Sequence, residues 1–340
     1  MEVADVAAAV VQELTQQTAP ISSARLCKAL GIRMSTLLRA LAYLGEDQIA
    51  GQAGLGWVQQ QQDGERLMLS LAPTLPEPTR QQPVLRYRGA QTHAAQDALA
   101  EETPVALVYN GVSHAVMMAT PADLEAFAVG FSLSEGIVDS PAQIYDISIQ
   151  TQPLGVELHI TLASAQFAAL KDRRRQLAGR TGCGLCGLES LQALELDVAP
   201  LEHAVHLRHS DILAALQTLP QHQPLNAQTG ALHVAAWLTT QGQLRYALED
   251  VGRHNALDKL VGTLAHDSVD PATGWVLMSS RASYELVQKC AQARISLLAT
   301  VSAPTAMAVR LAQQAGMCLV GFVRESGLVV YSFPERVLPG

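Results

Sequence analysis

The sequence predicts an α/β protein: a mostly parallel sheet with helices packed on it, preceded by a small winged helix-turn-helix-like module. Three observations predict this. The chain has 340 residues, of which 49% are apolar and 16% charged, enough for a large buried core and more than one domain. Its second half alternates strand-like and helix-like stretches, the pattern of a parallel sheet covered by helices. Its first 70 or so residues read as three helices and then a hairpin.

In the first stretch Val3, Val6, Val10 and Leu14 recur at helical spacing, and Ala19-Pro20 breaks the run. Ser22 and Ser23 are candidate caps for a second helix that ends at Gly31. Ser35 to Leu44 gives a third, with Leu37, Leu38, Leu41 and Leu44 on its apolar side. Two extended runs, Gly54–Gln59 and Arg66–Leu71, flank the turn residues Asp63-Gly64. From Met1 to Arg80 there are six Lys/Arg and eight Asp/Glu. A DNA-reading domain shows a basic face, so docking or dimerisation is the first reading; DNA contact through Arg33 and Arg39 is the secondary one. Prolines 73, 76, 78 and 83 mark a linker. The division is thus 1–72 module, 73–83 linker and 84–340 main domain.

In the main domain, Trp275–Ser279, Ile295–Val301 and Met317–Val323 read as strands, and Tyr284–Arg294 and Ala306–Ala315 as helices. Leu328–Phe333 closes as an antiparallel partner across Ser326-Gly327. No apolar run reaches the roughly 18 residues of a membrane span, and residues 1–11 lack the basic region of a secretion signal. The expectation is a cytoplasmic protein with no membrane partner. The net charge of −8 supports solubility and argues against bulk nucleic-acid binding. Nineteen of the 23 basic residues are arginine, which suits phosphate contacts, but a GC-rich genome gives the same bias and is the first reading. Five cysteines are too few and odd in number for a disulfide framework.

Three segments carry chemistry. In Gly182-Cys183-Gly184-Leu185-Cys186-Gly187, glycines leave both sulfurs on an open loop. Lys171, Arg173, Arg174, Arg175 and Arg180 upstream favour the nucleophilic thiolate. This spacing fits half a zinc site completed by His203, His206 or His209, a redox pair, or a sulfur relay, and alone it does not choose among them. In Leu248–Lys259, eight of twelve positions are polar or glycine; Asn255 suits a helix cap, and Arg253 and His254 suit a phosphate, while a solvated helix start with local salt bridges is the equal alternative. The third segment is a set of strand ends: Ser279-Ser280-Arg281, Ser302 to Thr305, and Gly321 to Arg324. Ligands of open α/β sheets bind beyond the carboxyl ends of the strands.

Together with Glu102 to Ala106, Tyr109-Asn110-Gly111, Met118 to Pro121, Gly130-Phe131, Ser134-Glu135-Gly136 and Ser283-Tyr284-Glu285, these segments resemble the formate dehydrogenase accessory sulfurtransferase family over nearly all of 84–340. The resemblance implies a cytidine-deaminase-like three-layer α/β/α main domain working as a homodimer. It implies a carrier that takes persulfide sulfur from a cysteine desulfurase and passes it to bis-molybdopterin guanine dinucleotide before the cofactor enters the formate dehydrogenase apoprotein. Cys183 would bear the persulfide, with Cys186 assisting. Phe322, Val323, Arg324, Glu325, Ser326 and Gly327 would lie against the cofactor, and Arg281, Asp250, His254 and Asn255 are the further contact candidates. No permanent metal is expected: Gly182 stands where zinc deaminases have a proline before the first cysteine. Two features depart from the family, the amino-terminal module and Ser280 where a glycine is expected before Arg281. The alternative is a nucleotide- or cofactor-sensing regulator with zinc on the Cys-x-x-Cys pair; a third is a scaffold without chemistry.

Overall fold

The structure is a computed structural model and describes residues 3–17, 19–45, 48–49, 52–53, 58–64, 66–71, 75–89, 91–152, 154–178 and 200–340. The chain divides into two units, Met1–Thr74 and Leu75–Gly340.

In the first unit α1 (Val3–Thr15) buries Val6, Ala7, Val10 and Leu14 on one stripe. A short strand β1 (Ile21–Ser22) leads into α2 (Ser23–Leu30), where Ser22 caps the helix by accepting from the Arg25 amide. Gly31 ends it in the left-handed region (φ 63). Then come α3 (Met34–Leu44), β2 (Gln48–Ile49), β3 (Gln52–Ala53), β4 (Val58–Asp63) and β5 (Arg66–Leu71). The sheet order is β1-β5-β4, and Leu26, Leu37, Leu41, Leu44, Val58 and Leu69 close the core. The first hairpin strand runs four residues further than the sequence suggests, to Asp63, because Asp63 pairs with Arg66 across the turn.

The second unit opens with a ribbon of β6 (Thr79–Arg88) and β7 (Gln91–Ala100). Thr79 to Pro83, read above as linker, are therefore paired; Pro83 sits opposite Gln96 in a strand with one free edge, where a missing amide proton is tolerated. Next come β8 (Thr103–Tyr109), β9 (Val112–Ala119), α4 (Leu124–Ser134), β10 (Ile144–Gln152), β11 (Gly155–Leu162) and α5 (Ser164–Ala178). They give a sheet of order β10-β11-β8-β9, one face of which buries Val105, Leu107, Leu158 and Ile160 against Phe127, Ala128 and Phe131 of α4.

The remainder is β12 (Leu207–Arg208), α6 (His209–Thr218), α7 (Pro224–Thr229), β13 (His233–Thr239), β14 (Leu244–Asp250), α8 (Arg253–His266), β15 (Gly274–Met278), α9 (Tyr284–Gln292), β16 (Leu297–Thr300), α10 (Ala306–Ala315), β17 (Cys318–Arg324), β18 (Gly327–Ser332) and β19 (Val337–Leu338). The strand–helix alternation read from the sequence is present, and β18 pairs antiparallel to β17 as expected. The six-stranded sheet has order β14-β13-β15-β16-β17-β18, parallel only from β15 to β17. Its central strands are buried on both faces, so they read as unbroken apolar runs rather than alternating ones. Trp237, Val276, Met278 and Leu298 face α8, α9 and α10, while Val234, Trp275, Leu277 and Val320 face α6.

The two sheets are joined where α4 crosses α8. A methyl group on Gly130 would stand 1.7 Å from the Asp258 carbonyl, and one on Gly262 would stand 1.9 Å from the Ala126 carbonyl. Only glycine permits that approach. Among the described residues no helix is long and apolar enough to cross a membrane.

Candidate functional site

Strands β14, β15, β16 and β17 run in one direction, so their carboxyl ends share one edge with the starts of β13 and β18. The loops along that edge are tied together. Ser279 Oγ accepts from the Val234 amide at 3.0 Å, the Ser302 amide donates to the Ser280 carbonyl at 3.2 Å, and the Phe322 amide donates to the Ser302 carbonyl at 3.3 Å. Thr305 caps α10, accepting from the Ala308 amide, and Ser280 Oγ donates to the Arg281 carbonyl. Several of the hydroxyls singled out from the sequence thus hold their own loops. Arg281, Phe322 and Arg324 remain exposed on the edge.

Phe322 is a non-glycine residue in the left-handed region (φ 51), at a register shift between β17 and β18. That twist turns its ring outward, 38% exposed, with the Arg324 guanidinium 5.6 Å from the ring centroid. Glu325 and Ser326 follow on the exposed turn, and Gly327 leaves it with φ 140. Val323 is different from its neighbours: its side chain is fully buried beneath the sheet. Only its backbone reaches the edge.

Asp250 and Asn255 are also buried, and both hydrogen-bond within the chain. Asp250 pairs with Lys259 at 2.7 Å, both fully buried, and accepts from the amides of Thr120 (3.0 Å) and Gly252 (2.8 Å). Asn255 donates to the Met118 carbonyl at 2.8 Å and to Asp250 at 3.0 Å; Lys259 donates to the Thr120 carbonyl at 3.0 Å. Polar chemistry is present where the sequence placed it, but the chain uses it to tie the β9–α4 turn to the start of α8.

What faces outward at that start is Arg253 and His254. Gly252 offers no side-chain cap to the 14-residue helix α8, so its first amides keep their partial positive charge. Arg253 Nε is buried and has no hydrogen-bond partner. Burial, and Arg253 beside it, hold the His233 pKa below the usual histidine value; the same two causes lower His254, against the pull of Glu285. Neutral imidazoles, an unpartnered guanidinium N–H and a helix amino end together suit an anion.

Beside His254, between α4, α8 and α9, lies a cavity of about 350 Å³. His254 Nε2 is 3.0 Å from Glu285 Oε2 at its mouth. Inside, Lys289 Nζ reaches Glu135 at 2.6 Å, Ser134 at 2.9 Å and Asp258 at 3.0 Å. Burial pushes the Asp258 carboxyl up to about 6 against the pull of Lys289 and Ser134. Burial also works against the Lys289 ammonium, but Asp258 and Glu135 outweigh it and hold its pKa above the usual lysine value. Sequence reasoning missed Lys289, although a signal exists: it stands on the buried stripe of an amphipathic helix beside Leu286 and Cys290, and a buried lysine demands a partner.

Cys183 and Cys186 lie outside the described residues. Among the described residues no group of three or more His, Cys, Asp or Glu side chains is placed to hold a metal.

A model of the FdhD/NarQ family matches residues 100–338. The chain is 54% identical over 248 residues to the sulfur carrier protein FdhD of Acinetobacter baylyi, covering 73% of this chain and 90% of that protein. It is 52% identical over 256 residues to the sulfur carrier protein FdhD of Bordetella petrii, covering 75% and 92%. A crystal structure described as that of a formate dehydrogenase accessory protein from Desulfotalea psychrophila superposes with a TM-score of 0.62 at 25% identity, over 76% of this chain and 99% of that one.

Proposed function

This chain belongs to the FdhD/NarQ family, and from that membership we propose that it is a sulfur carrier serving formate dehydrogenase. The observation that carries the reading is identity of about half the residues, over three-quarters of the chain, to proteins named as sulfur carriers. The chemistry assigned to Cys183 is what the family resemblance implies, and the flanking glycines and upstream basic residues favour it. Its thiolate attacks the outer sulfur of a cysteine desulfurase persulfide, that S–S bond breaks, and the desulfurase thiolate leaves. Cys183 then holds the sulfur as a persulfide bound for bis-molybdopterin guanine dinucleotide, the substrate; attack of the Cys186 thiolate on Cys183 Sγ would release that sulfur at the sulfide level and leave a Cys183–Cys186 disulfide, which accounts for the two electrons.

The carboxyl-end edge is the proposed seat of the nucleotide. Arg253 with its unpartnered Nε, the amino end of α8 and Arg281 suit phosphate; the outward Phe322 ring and Arg324 suit a base. Asp250 and Asn255 act behind this surface by holding it in place. Helices on both faces of the six-stranded sheet favour the cytidine-deaminase-like layering, and the order of elements in the first unit favours a winged-helix-like module. We assign the protein to the cytoplasm, as a homodimer without a permanent metal.

The test is mass spectrometry of the purified chain after incubation with a cysteine desulfurase and cysteine. A gain of about 32 Da, one sulfur, is expected on the peptide containing Cys183 and Cys186, and Cys183→Ala should remove it. A peptide that never gains sulfur, with stoichiometric zinc in the preparation, overturns the reading in favour of the metal-holding regulator.

A further inference from the structure

We propose that the phosphates of the nucleotide bind at the start of α8 together with a proton, which His254 takes up. This rests on the reading of the carboxyl-end edge as the nucleotide's seat. The argument starts from one hydrogen bond. His254 Nε2 lies 3.0 Å from Glu285 Oε2, and Ser283 Oγ donates to the same oxygen at 3.2 Å. A carboxylate only accepts, so the proton shared with the ring sits on Nε2. A neutral imidazole carries a single N–H, and Nδ1 is then left with a lone pair and no proton to donate. An anion gains nothing from that nitrogen until the ring takes a second proton.

The charges around the ring decide when that happens. Arg253 adjoins it in α8, Glu285 and Lys289 act on it from α9, and Asp258, Glu135 and Tyr284 line the cavity at whose mouth it stands. Lys289 is matched by Asp258 at 3.0 Å and Glu135 at 2.6 Å. Arg253 is matched less well, since its buried Nε has no hydrogen-bond partner. Burial and Arg253 oppose the imidazolium, and Glu285 favours it. A phosphate at the uncapped start of α8 offsets the Arg253 charge, while Glu285 stays 3.0 Å away to stabilise the protonated ring. Anion and proton therefore strengthen each other's binding, and linkage makes the effect mutual.

His233 is the rival for that proton. Burial and Arg253 lower it too, and it stands opposite Asp250 in the β13–β14 ladder. Asp250, however, is already balanced by Lys259 at 2.7 Å and accepts from the Thr120 and Gly252 amides. A His233 imidazolium would face a carboxylate whose charge is in use, whereas His254 has Glu285 beside it. The proton goes to His254.

Isothermal titration calorimetry of the full chain with guanosine diphosphate mannose tests this. The diphosphate of that probe is a diester and does not titrate near neutral pH, so any proton that moves is taken up by the protein. Titrations near pH 6.5 in two buffers of different ionisation enthalpy should show uptake of roughly half a proton per ligand, and affinity should rise by about several-fold between pH 8 and pH 6. His254→Gln should abolish the uptake and flatten the pH dependence. In the unaltered chain, proton NMR should show the His254 ring moving toward its imidazolium position as ligand is added, a result that needs no variant to fold. Binding without proton uptake overturns the proposal and leaves the seat in place, as does uptake that survives His254→Gln. A probe that binds at no pH overturns the seat and this proposal together. Sulfur loading on Cys183 is read separately by mass, so a failure of the carrier reading is distinguished from both.

Discussion

At the scale of single residues, the chain's lysines mark its most demanding electrostatics. Two of the four, Lys259 and Lys289, are buried, and each is held by an aspartate. Lys259→Met leaves Asp250 fully buried without its cation, and removing one partner of a buried pair costs about 3–5 kcal/mol. Urea unfolding should show a loss of that size; a loss under about 1 kcal/mol would mean that water reaches Asp250. Asp258 makes a pH prediction. Its folded pKa of about 6 lies above the ordinary carboxylate value of 3.8. The folded state therefore holds the proton more tightly, so this contribution is complete below the ordinary pKa and is lost as pH rises through about 6. Asp258→Asn should flatten the stability–pH curve between about pH 4 and about pH 7 relative to the parent chain; parallel curves would refute the assignment. His254 titrates the other way from its usual value: burial and Arg253 lower it, so proton NMR should find its midpoint below 6.5, and lower still in Glu285→Gln.

At the scale of elements, the site depends on how closely two helices approach. Gly130→Ala places a methyl group against the Asp258 carbonyl with no flexible side chain to yield, and α8 carries both the Arg253 surface and the Asp258 end of the buried pair. A loss of at least about 3 kcal/mol is expected in thermal unfolding, above the common range for overpacking because backbone must move. An unchanged midpoint would show that α4 and α8 separate freely. The elements themselves were largely legible: helices at Tyr284–Gln292 and Ala306–Ala315 and the strands between them follow from a change of period between 3.6 and unbroken apolar runs. The ribbon was not legible, because four prolines over 73–83 read as a linker, and only pairing with Gln96 shows that Pro83 is in a strand. The site was legible in part. Sequence placed polar residues at the start of α8 but not which way they face, so Asp250 and Asn255 read like Arg253, although the chain itself satisfies Asp250.

At the scale of the whole molecule, the two units have separate cores and separate claims on function. The family model begins at residue 100, and the curated relatives match about three-quarters of the chain, so the sulfur-carrier role belongs to Leu75–Gly340. The first unit instead presents α3 with Met34, Leu38 and Tyr43 exposed, in a segment that also carries Arg33 and Arg39, an apolar surface in an acidic module. Such a surface suits protein better than phosphate, whose binding would need a basic face and would weaken steeply with salt. A chain beginning at Leu75 is therefore expected to keep three clusters of buried apolar side chains intact and to unfold cooperatively. It should still gain sulfur on the Cys183 peptide and restore formate dehydrogenase activity in a strain lacking the carrier. Retention of the full chain on duplex DNA at low salt should be as weak as that of the shortened one. If the shortened chain folds and accepts sulfur but fails to restore the dehydrogenase, the first unit carries the docking surface for delivery. If it fails to accept sulfur, that unit serves the desulfurase instead. Sulfur loading and dehydrogenase activity, measured on the same pair of chains, separate those two roles.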